Sequence, residues 1–286
     1  MYADSLLLLS MSISTWNQYT YDRSASVELR RDKQAADGAL RVNKKLLSGS
    51  ASLKKTLAAF AAVRTYLYAE SLPWGENSDR VIPTMRYLDF VTGFNDRVSE
   101  AQRQLDIFLA AYPAEILADK AAMGAVYDPA LYPGIDDMRS RFSVRLAVLP
   151  VPTVNDFRVT LADGVIADLT EQAEQSIQSA KDKAQQEIIS RFCAPLQHFL
   201  TRMADIDAGD RELRLHNSVT VNIANLAHEL ESWNFTGNPE FSALRQHLAQ
   251  LGQYNVDQLK ADTAIRSEAT QQAQNLIDAF SALGTW

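Results

Sequence analysis

The segment that comes closest to a chemical motif runs from Gly49 to Thr56 and reads Gly-Ser-Ala-Ser-Leu-Lys-Lys-Thr. A phosphate-binding P-loop needs a second glycine before its lysine, because the backbone must wrap closely around the phosphates. Lys54 stands at that position here, and no buried strand precedes the segment. We therefore expect a loop that leads into a helix, capped by Ser50 or Ser52, and no nucleotide site.

The histidines also fall short of a metal-binding pattern. His228 and Glu229 begin a zinc-protease motif, but Ser232 stands where the second histidine ligand is required. No two of the four histidines are four residues apart, which is the spacing that places two ligands on one helical face. The sequence therefore predicts no metal site.

The remaining candidates for catalysis are one thiol and one pair of acids. The single cysteine, Cys193, follows Phe192 on an apolar helix, so we expect a small buried hydrophobic residue rather than an activated thiol. Asp136 and Asp137 are adjacent, and adjacent carboxylates normally diverge, so we expect a turn or a helix N-terminus there. We predict no catalytic residue and no cofactor, and expect that the protein is not an enzyme.

Length and composition are those of a globular protein. The chain has 286 residues, of which 47% are hydrophobic and 22% charged, and this excludes wholesale disorder and a disulfide scaffold. Asp4 precedes the apolar run Leu6–Leu9, and the first basic residue is Arg23, so the run lacks the charge of a signal peptide. No stretch approaches the ~18 apolar residues of a membrane span. We expect a cytoplasmic protein with no membrane contact.

Charge is distributed unevenly along the chain. The net charge is −7, yet the segment 23–55 carries nine basic residues against three acids, a local charge of +6. We interpret this segment as a solvated helical face, with a docking surface for phosphate or an acidic partner as the alternative. The segment itself lacks the interleaved aromatic residues of a single-strand stacking surface. The basic residues that form this candidate interaction patch are Arg23, Arg30, Arg31, Lys33, Arg41, Lys44, Lys45, Lys54 and Lys55.

The first half of the chain combines extended and helical patterns. Alternation predicts strands over 6–16, 142–149 and 157–161 that pair in a small antiparallel or mixed sheet. Helical spacing predicts helices over 24–47 and 53–68, an ordered loop over 71–83, and a long helix after Pro83 that ends or restarts at Pro113.

Beyond Asp163 the pattern is helical almost to the end. Apolar residues recur every three or four positions from Leu169 to Phe192, from Val219 to Trp233 and from Ala269 to Leu283. We expect an antiparallel helical bundle whose seams, which have coiled-coil-like spacing, face its own core, with Pro195 kinking or interrupting the first helix. The overall prediction is an α+β, predominantly α-helical protein with a mixed region over 1–162 and a bundle over 163–286, which could also pack as one domain.

Several short motifs in the first 160 residues resemble one known family. They are Lys44-Lys45 before a hydrophobic pair, Leu72-Pro73-Trp74-Gly75, Arg80-Val81-Ile82-Pro83, Tyr132-Pro133, and Pro150-Val151-Pro152 leading to Asp156-Phe157-Arg158-Val159. Together they resemble a phage and prophage family of unknown function whose genes often lie near a MoxR-type AAA+ ATPase and a von Willebrand factor A-domain protein. The resemblance implies a partner or adaptor in an ATP-driven assembly, and it supplies no catalytic residues.

The residue types in these motifs are typical of segments that stabilise a fold. We expect Trp74, Pro83, Phe157 and Arg158 to act as structural anchors, with Arg80 or Arg158 paired to acids such as Asp156. Our leading hypothesis is a non-enzymatic phage protein that acts through protein contacts, as an adaptor of an AAA+ ATPase, with the C-terminal bundle as its contact or self-association surface. The alternative is a nucleic-acid-associated protein that uses the basic segment 23–55.

Overall fold

The computed structural model describes residues 5–75, 78–151, 163–209, 216–234 and 239–283. The strands are β1 (Leu6–Ser14), β2 (Tyr19–Asp22), β3 (Val42–Lys45), β4 (Leu72–Pro73), β5 (Arg80–Pro83) and β6 (Ser143–Pro150). The helices are α1 (Arg23–Asp32), α2 (Ala51–Glu70), α3 (Tyr87–Met123), α4 (Ile135–Ser140), α5 (Asp163–Asp207), α6 (Ser218–Ser232), α7 (Glu240–Leu251), α8 (Val256–Ala261) and α9 (Thr263–Ala282). The fold is α+β and predominantly helical, as the sequence predicts.

The strands form two small antiparallel sheets. The larger has the order β4-β5-β1-β6, with Leu6 opposite Pro83 and Leu9 opposite Arg80. The smaller contains β2 and β3. The predicted pairing of the first strand with the strand near residue 145 is confirmed, whereas the strand predicted over 157–161 lies outside the described residues.

The described residues divide into two compact units that interleave along the chain. The first, which we call the bundle unit, comprises Met1–Ser10, Glu70–Leu88 and Val148–Trp286. The second, the ribbon unit, comprises Met11–Ala69 and Asp89–Ala147. This division differs from a boundary at residues 162 and 163, because strands and helix ends from the first half of the chain belong to the bundle unit.

The bundle unit is built on the apolar seams of its helices. Ile188 and Phe192 of α5, Leu230 of α6, and Ala273 and Phe280 of α9 are all buried in one core. The rings of Phe192 and Phe280 stack with centroids 5.3 Å apart. The prediction that these seams face their own core is confirmed for the described side chains, and Leu169 at the start of the first seam lies outside them. Among the helices that the structure describes, none is long and apolar enough to cross a membrane.

The ribbon unit has its core between α2 and α3. Phe60 of α2 packs against Phe142, which in turn contacts Phe108 of α3, with centroid distances of 5.3 and 6.4 Å. Tyr66 stacks on Phe90 at 5.8 Å. These contacts explain why two long helices form here: each buries one aromatic face against the other.

Three local predictions were wrong. The helix predicted over 24–47 ends at Asp32, and the chain forms β3 instead, because residues 42–45 pair with β2. The loop predicted over 71–83 contains the paired strands β4 and β5. Helix α3 continues through Pro113, since the fully buried Tyr112 on one side and the buried Asp119 on the other fix the helix and outweigh the lost backbone hydrogen bond.

Helix α5 likewise passes through Pro195 without the interruption that the sequence allowed for, again between core residues on both sides. Leu196 and Phe199 are completely buried just after the proline, as is Phe192 just before it. Core packing therefore decides the extent of both proline-containing helices.

In the bundle unit, Gly252 lies close to the backbone of α6, and a substitution at this glycine tests the packing. A Cβ added at Gly252, at the end of α7, would lie 2.8 Å from the backbone Cα of Ala224 in α6. Because that backbone cannot give way, we expect Gly252→Ala to destabilise the protein by about 1–3 kcal/mol in urea unfolding. The neighbouring Gln253→Ala, at an exposed position, should change stability by less than about 0.5 kcal/mol. Equal stabilities for the two variants would contradict the close packing.

Candidate functional site

The predicted interaction patch is centred on the sheet formed by β2 and β3, which we call the ribbon. Tyr19 pairs with Lys45, and Tyr21 with Asn43. Isolated strands of four residues are marginal in water, so the ribbon must be supported from elsewhere. The support comes from α1, which directly follows β2 and packs against β3.

Asp22 connects the ribbon to this helix. It is the last residue of β2 and the N-cap of α1, and its carboxylate accepts hydrogen bonds from the Ala25 amide at 3.0 Å and the Ser24 hydroxyl at 2.8 Å. The ammonium group of Lys44 on β3 lies 3.0 Å from the same carboxylate. Hydrogen bonding by the Ala25 amide, then by Ser24 and Lys44, lowers the pKa of Asp22 from 3.8 to about 2. The buried carboxylate therefore stays charged throughout the physiological range.

Ser26 provides the second link between α1 and β3. Its completely buried hydroxyl donates to the Asp22 carbonyl at 2.6 Å and accepts from the Val42 amide at 2.9 Å. Both hydrogen-bonding directions of one hydroxyl are thus used within the scaffold. Together, Asp22 and Ser26 hold α1 against the ribbon, while the face that carries Tyr19, Tyr21 and Lys45 stays exposed, and we call it the open face.

The open face carries two tyrosines and two cations. Tyr19 is 54% exposed and Tyr21 is 41% exposed. The guanidinium of Arg41 lies 4.6 Å from the centroid of the Tyr21 ring, and the ammonium of Lys45 lies 5.7 Å from that of Tyr19. Hydrogen bonding by Ser26 and then by Arg30 lowers the pKa of the Tyr21 hydroxyl.

The two tyrosines are aromatic neighbours of the basic segment, which contains no aromatic residue of its own. They lie two and four residues before the segment 23–55, and the pairing of β2 with β3 brings them beside Arg41 and Lys45. The signal that could have found them is the alternation Tyr-Thr-Tyr-Asp, which is typical of a short half-buried strand.

Among the described residues, most of the nine basic side chains have no acidic partner. Lys44 pairs with Asp22, and Arg30 lies 3.5 Å from the Asp37 carboxylate and also donates to the Leu40 carbonyl. Within the part of the chain that the structure describes, the other seven make no ion pair. All seven are exposed, and they are Arg23, Arg31, Lys33, Arg41, Lys45, Lys54 and Lys55. The patch is therefore a surface with uncompensated positive charge.

The loop before α2 is held by the protein's own carboxylates. The Ser50 hydroxyl accepts a hydrogen bond from the Leu53 amide at 2.9 Å, which confirms Ser50 as a helix cap. Glu115 of α3 accepts hydrogen bonds from the hydroxyls of Ser50 and Ser52, and Asp119 accepts one from the Leu47 amide at 2.7 Å. An anion bound at this helix N-terminus would meet these two carboxylates, so the Gly49 segment is unsuited to phosphate.

Asp119 is also bound by a second group. The Tyr132 hydroxyl donates to it at 2.6 Å, and burial, together with this hydrogen bond, raises the pKa of Tyr132. Burial also raises the pKa of Tyr112 to about 12. Both phenols are thus neutral structural groups in the core of the ribbon unit.

The other candidate residues belong to three different helices. Cys193 is buried in the core of the bundle unit, and burial raises the pKa of its thiol, as expected for a packing residue. His228 is exposed on α6. Asp136 and Asp137 occupy the first turn of α4, which is the predicted helix N-terminus. Among the residues described, no three His, Cys, Asp or Glu side chains are grouped so as to hold a metal ion.

The predicted anchors belong to the bundle unit as far as they are described. Trp74 is buried in its core, and the equally buried Pro83 pairs with Leu6 in the sheet. Arg80 donates through its guanidinium to both the hydroxyl and the carbonyl of Ser71. The other two anchors, Phe157 and Arg158, together with the proposed acidic partner Asp156, lie outside the described residues.

Comparison with known proteins adds nothing to this description of the surface. No family model, no curated protein and no solved structure matches the chain. The function must therefore be argued from the ribbon and its surroundings.

The lowered pKa of Asp22 predicts how the ribbon responds to acid. A carboxylate with a folded pKa of about 2 and an ordinary value of 3.8 contributes stability above pH 3.8, and this contribution is lost as the pH falls toward 2. We expect the Ala25 amide signal to titrate with a midpoint near pH 2 in NMR spectra. Asp22→Asn keeps a capping oxygen but removes the charge. The free energy of unfolding of this variant should therefore fall less than that of the wild type between pH 4 and pH 2.

Asp22→Ala is the matched variant, because it removes the cap as well as the charge. It should weaken the ribbon at every pH, which amide exchange of Val42 measures. If Asp22→Asn loses as much stability between pH 4 and pH 2 as the wild type, the assignment of the acid response to Asp22 is wrong.

Proposed function

We propose that this chain is a nucleic-acid-associated protein that binds through the open face of the ribbon and the cations beside it. The observation that carries the proposal is the set of seven exposed basic residues with no acidic partner among the described residues. Phosphate groups supply the missing negative charge, and their condensed counterions are released on binding.

The scaffold of the ribbon supports this proposal. Asp22, the one acid within the two strands, is buried and is neutralised by Lys44 on the face toward α1. The open face therefore presents Lys45, with Arg41 beside it, and no carboxylate of its own strands. A phosphate that approaches this face meets no repulsion from within the ribbon.

Charge reversal on the open face tests the proposal. We expect Arg41→Glu with Lys45→Glu to weaken binding of a labelled oligonucleotide more than about tenfold and to reduce the slope of log affinity against log salt by about 1.4. Fluorescence anisotropy over a salt series measures both quantities. Both side chains are exposed and unpaired with acids, so the variant should fold normally.

The matched control is Arg64→Glu with Lys120→Glu. These residues are exposed on α2 and α3 of the same unit, and the change in net charge is the same. The control should bind within about threefold of the wild type, because a contact surface depends on where the charge lies. Equal losses in the two double variants would show only a response to net charge and would contradict the ribbon as the binding surface.

A second candidate function is protein contact, which one observation on α3 favours. Ile107 is 46% exposed and Leu117 is 69% exposed, and the exposed Ala110 and Ala114 lie between them at helical spacing. This stripe is apolar and faces solvent. Among the described residues of the C-terminal helices, by contrast, Val221 is the one large hydrophobic side chain that is exposed. For this candidate the family resemblance suggests an AAA+ ATPase as partner, and a second copy of the chain would also fit an apolar stripe.

Leu117→Glu tests this candidate. We expect it to abolish association with a purified MoxR-type ATPase, or self-association in sedimentation velocity, because it places a charge in an apolar contact. The control Gln102→Glu adds the same charge at another exposed position of α3. If Leu117→Glu associates as the control and the wild type do, the stripe is not a contact surface.

A further inference from the structure

The spacing of the exposed tyrosines on the ribbon carries a more specific conclusion about the nucleic acid. Tyr19 and Tyr21 are two residues apart on one strand, so they lie on the same face with Cα atoms about 6.7 Å apart. This is about twice the ~3.4 Å rise per nucleotide along one strand of a stacked duplex. Two neighbouring bases can stack on both rings only if they are separated from each other.

Separated bases are available in a single strand and not in a duplex. A base pair within a helix shows only its edges in the grooves, because both of its faces are covered by the adjacent pairs. A single strand can spread its bases and place each face against an aromatic side chain. The tyrosine pair can therefore stack on the bases of an extended single strand but not on those of a duplex.

The cations of the ribbon are placed to complement such a strand. The Arg41 guanidinium lies over one face of the Tyr21 ring, and the Lys45 ammonium over one face of the Tyr19 ring, at 4.6 and 5.7 Å from the centroids, so a base stacks on the other face of each ring. Each exposed ring is thus accompanied by one positive charge, as each base of a single strand is accompanied by one phosphate. An aromatic ring with a neighbouring cation is the combination used by surfaces that bind single strands without sequence preference.

We propose that the open face of the ribbon binds single-stranded nucleic acid, with one base stacked on Tyr19, the next on Tyr21, and their phosphates beside Lys45 and Arg41. This inference rests on the proposed nucleic-acid function and narrows it. It assigns sequence-tolerant recognition, because every base has a face that can stack. It does not distinguish DNA from RNA, since bases and phosphates are common to both.

The first test compares probes on the unmodified protein. The probes are a fluorescein-labelled oligothymidylate of about twelve nucleotides, within the ~4–16 nucleotide range of single-strand sites, and an abasic strand of the same length. The two carry the same phosphates, and only the first carries bases. We expect the oligothymidylate to bind at least about tenfold more tightly than the abasic strand and than a duplex of equal length. Polyglutamate, which is acidic but has no bases, should compete weakly.

The second test changes the rings. We expect Tyr19→Ala and Tyr21→Ala each to weaken oligothymidylate binding by about 5- to 100-fold, and to leave binding of the abasic strand unchanged. Tyr19→Phe and Tyr21→Phe keep the ring and should bind within about twofold of the wild type. Tyr68→Ala is the matched control, because Tyr68 is 41% exposed on α2 of the same unit, and it should have no effect.

The outcomes separate this inference from the broader proposal. If the oligothymidylate, the abasic strand and the duplex bind equally, and the tyrosine variants behave as wild type while Arg41→Glu with Lys45→Glu loses binding, the ribbon contacts phosphate alone and the single-strand inference is wrong. If no nucleic acid binds, both proposals are wrong. Polyglutamate binding as tight as that of oligothymidylate would overturn both in favour of an acidic protein partner. Because the probe comparison uses the wild type, it decides the question even if a Tyr→Ala variant unfolds the ribbon.

Discussion

The surface proposed for binding depends on one buried carboxylate. Asp22 ends a strand, caps a helix and neutralises Lys44 across the ribbon. Removing an unpaired charge from water is costly, so these three roles must be satisfied together for the residue to be buried. Their joint satisfaction fixes which face of a four-residue strand points toward α1. The other face, with both tyrosines, is exposed as a consequence.

The same use of acids recurs through the ribbon unit and explains how a local positive surface arises. Glu115 and Asp119 accept hydrogen bonds from the loop before α2, and Asp106 pairs with Arg139 of α4. These acids therefore bind groups outside the basic segment and do not neutralise its cations. The cations of segment 23–55 have few acids within their own segment, so most keep their charge uncompensated.

Long-range features of the fold could be predicted from the sequence, whereas the ribbon could not. The seams from Ile188 to Phe192 and from Ala269 to Phe280 follow a period that only a packed helix satisfies, and their burial follows from it. β2 and β3 are four residues each and are separated by a helix, so neither has enough alternation to be recognised alone. Their register depends on Asp22 and Ser26, which contact backbone and side chains that the sequence pattern does not bring together. The continuity of α3 through Pro113 was missed for a related reason, since contacts distant in sequence outweigh a local helix-breaking signal.

The overall charge of the chain determines how such a surface can act. With a net charge of −7, and +6 concentrated in segment 23–55, the rest of the chain carries −13. A polyanion at long range is therefore repelled, and it is attracted only within about one Debye length of the ribbon, ~10 Å at moderate salt. Charge alone then gives weak, slow association compared with a uniformly basic protein. Contacts that act only at short range must supply most of the affinity, and stacking on exposed aromatic rings such as Tyr19 and Tyr21 is a contact of this kind.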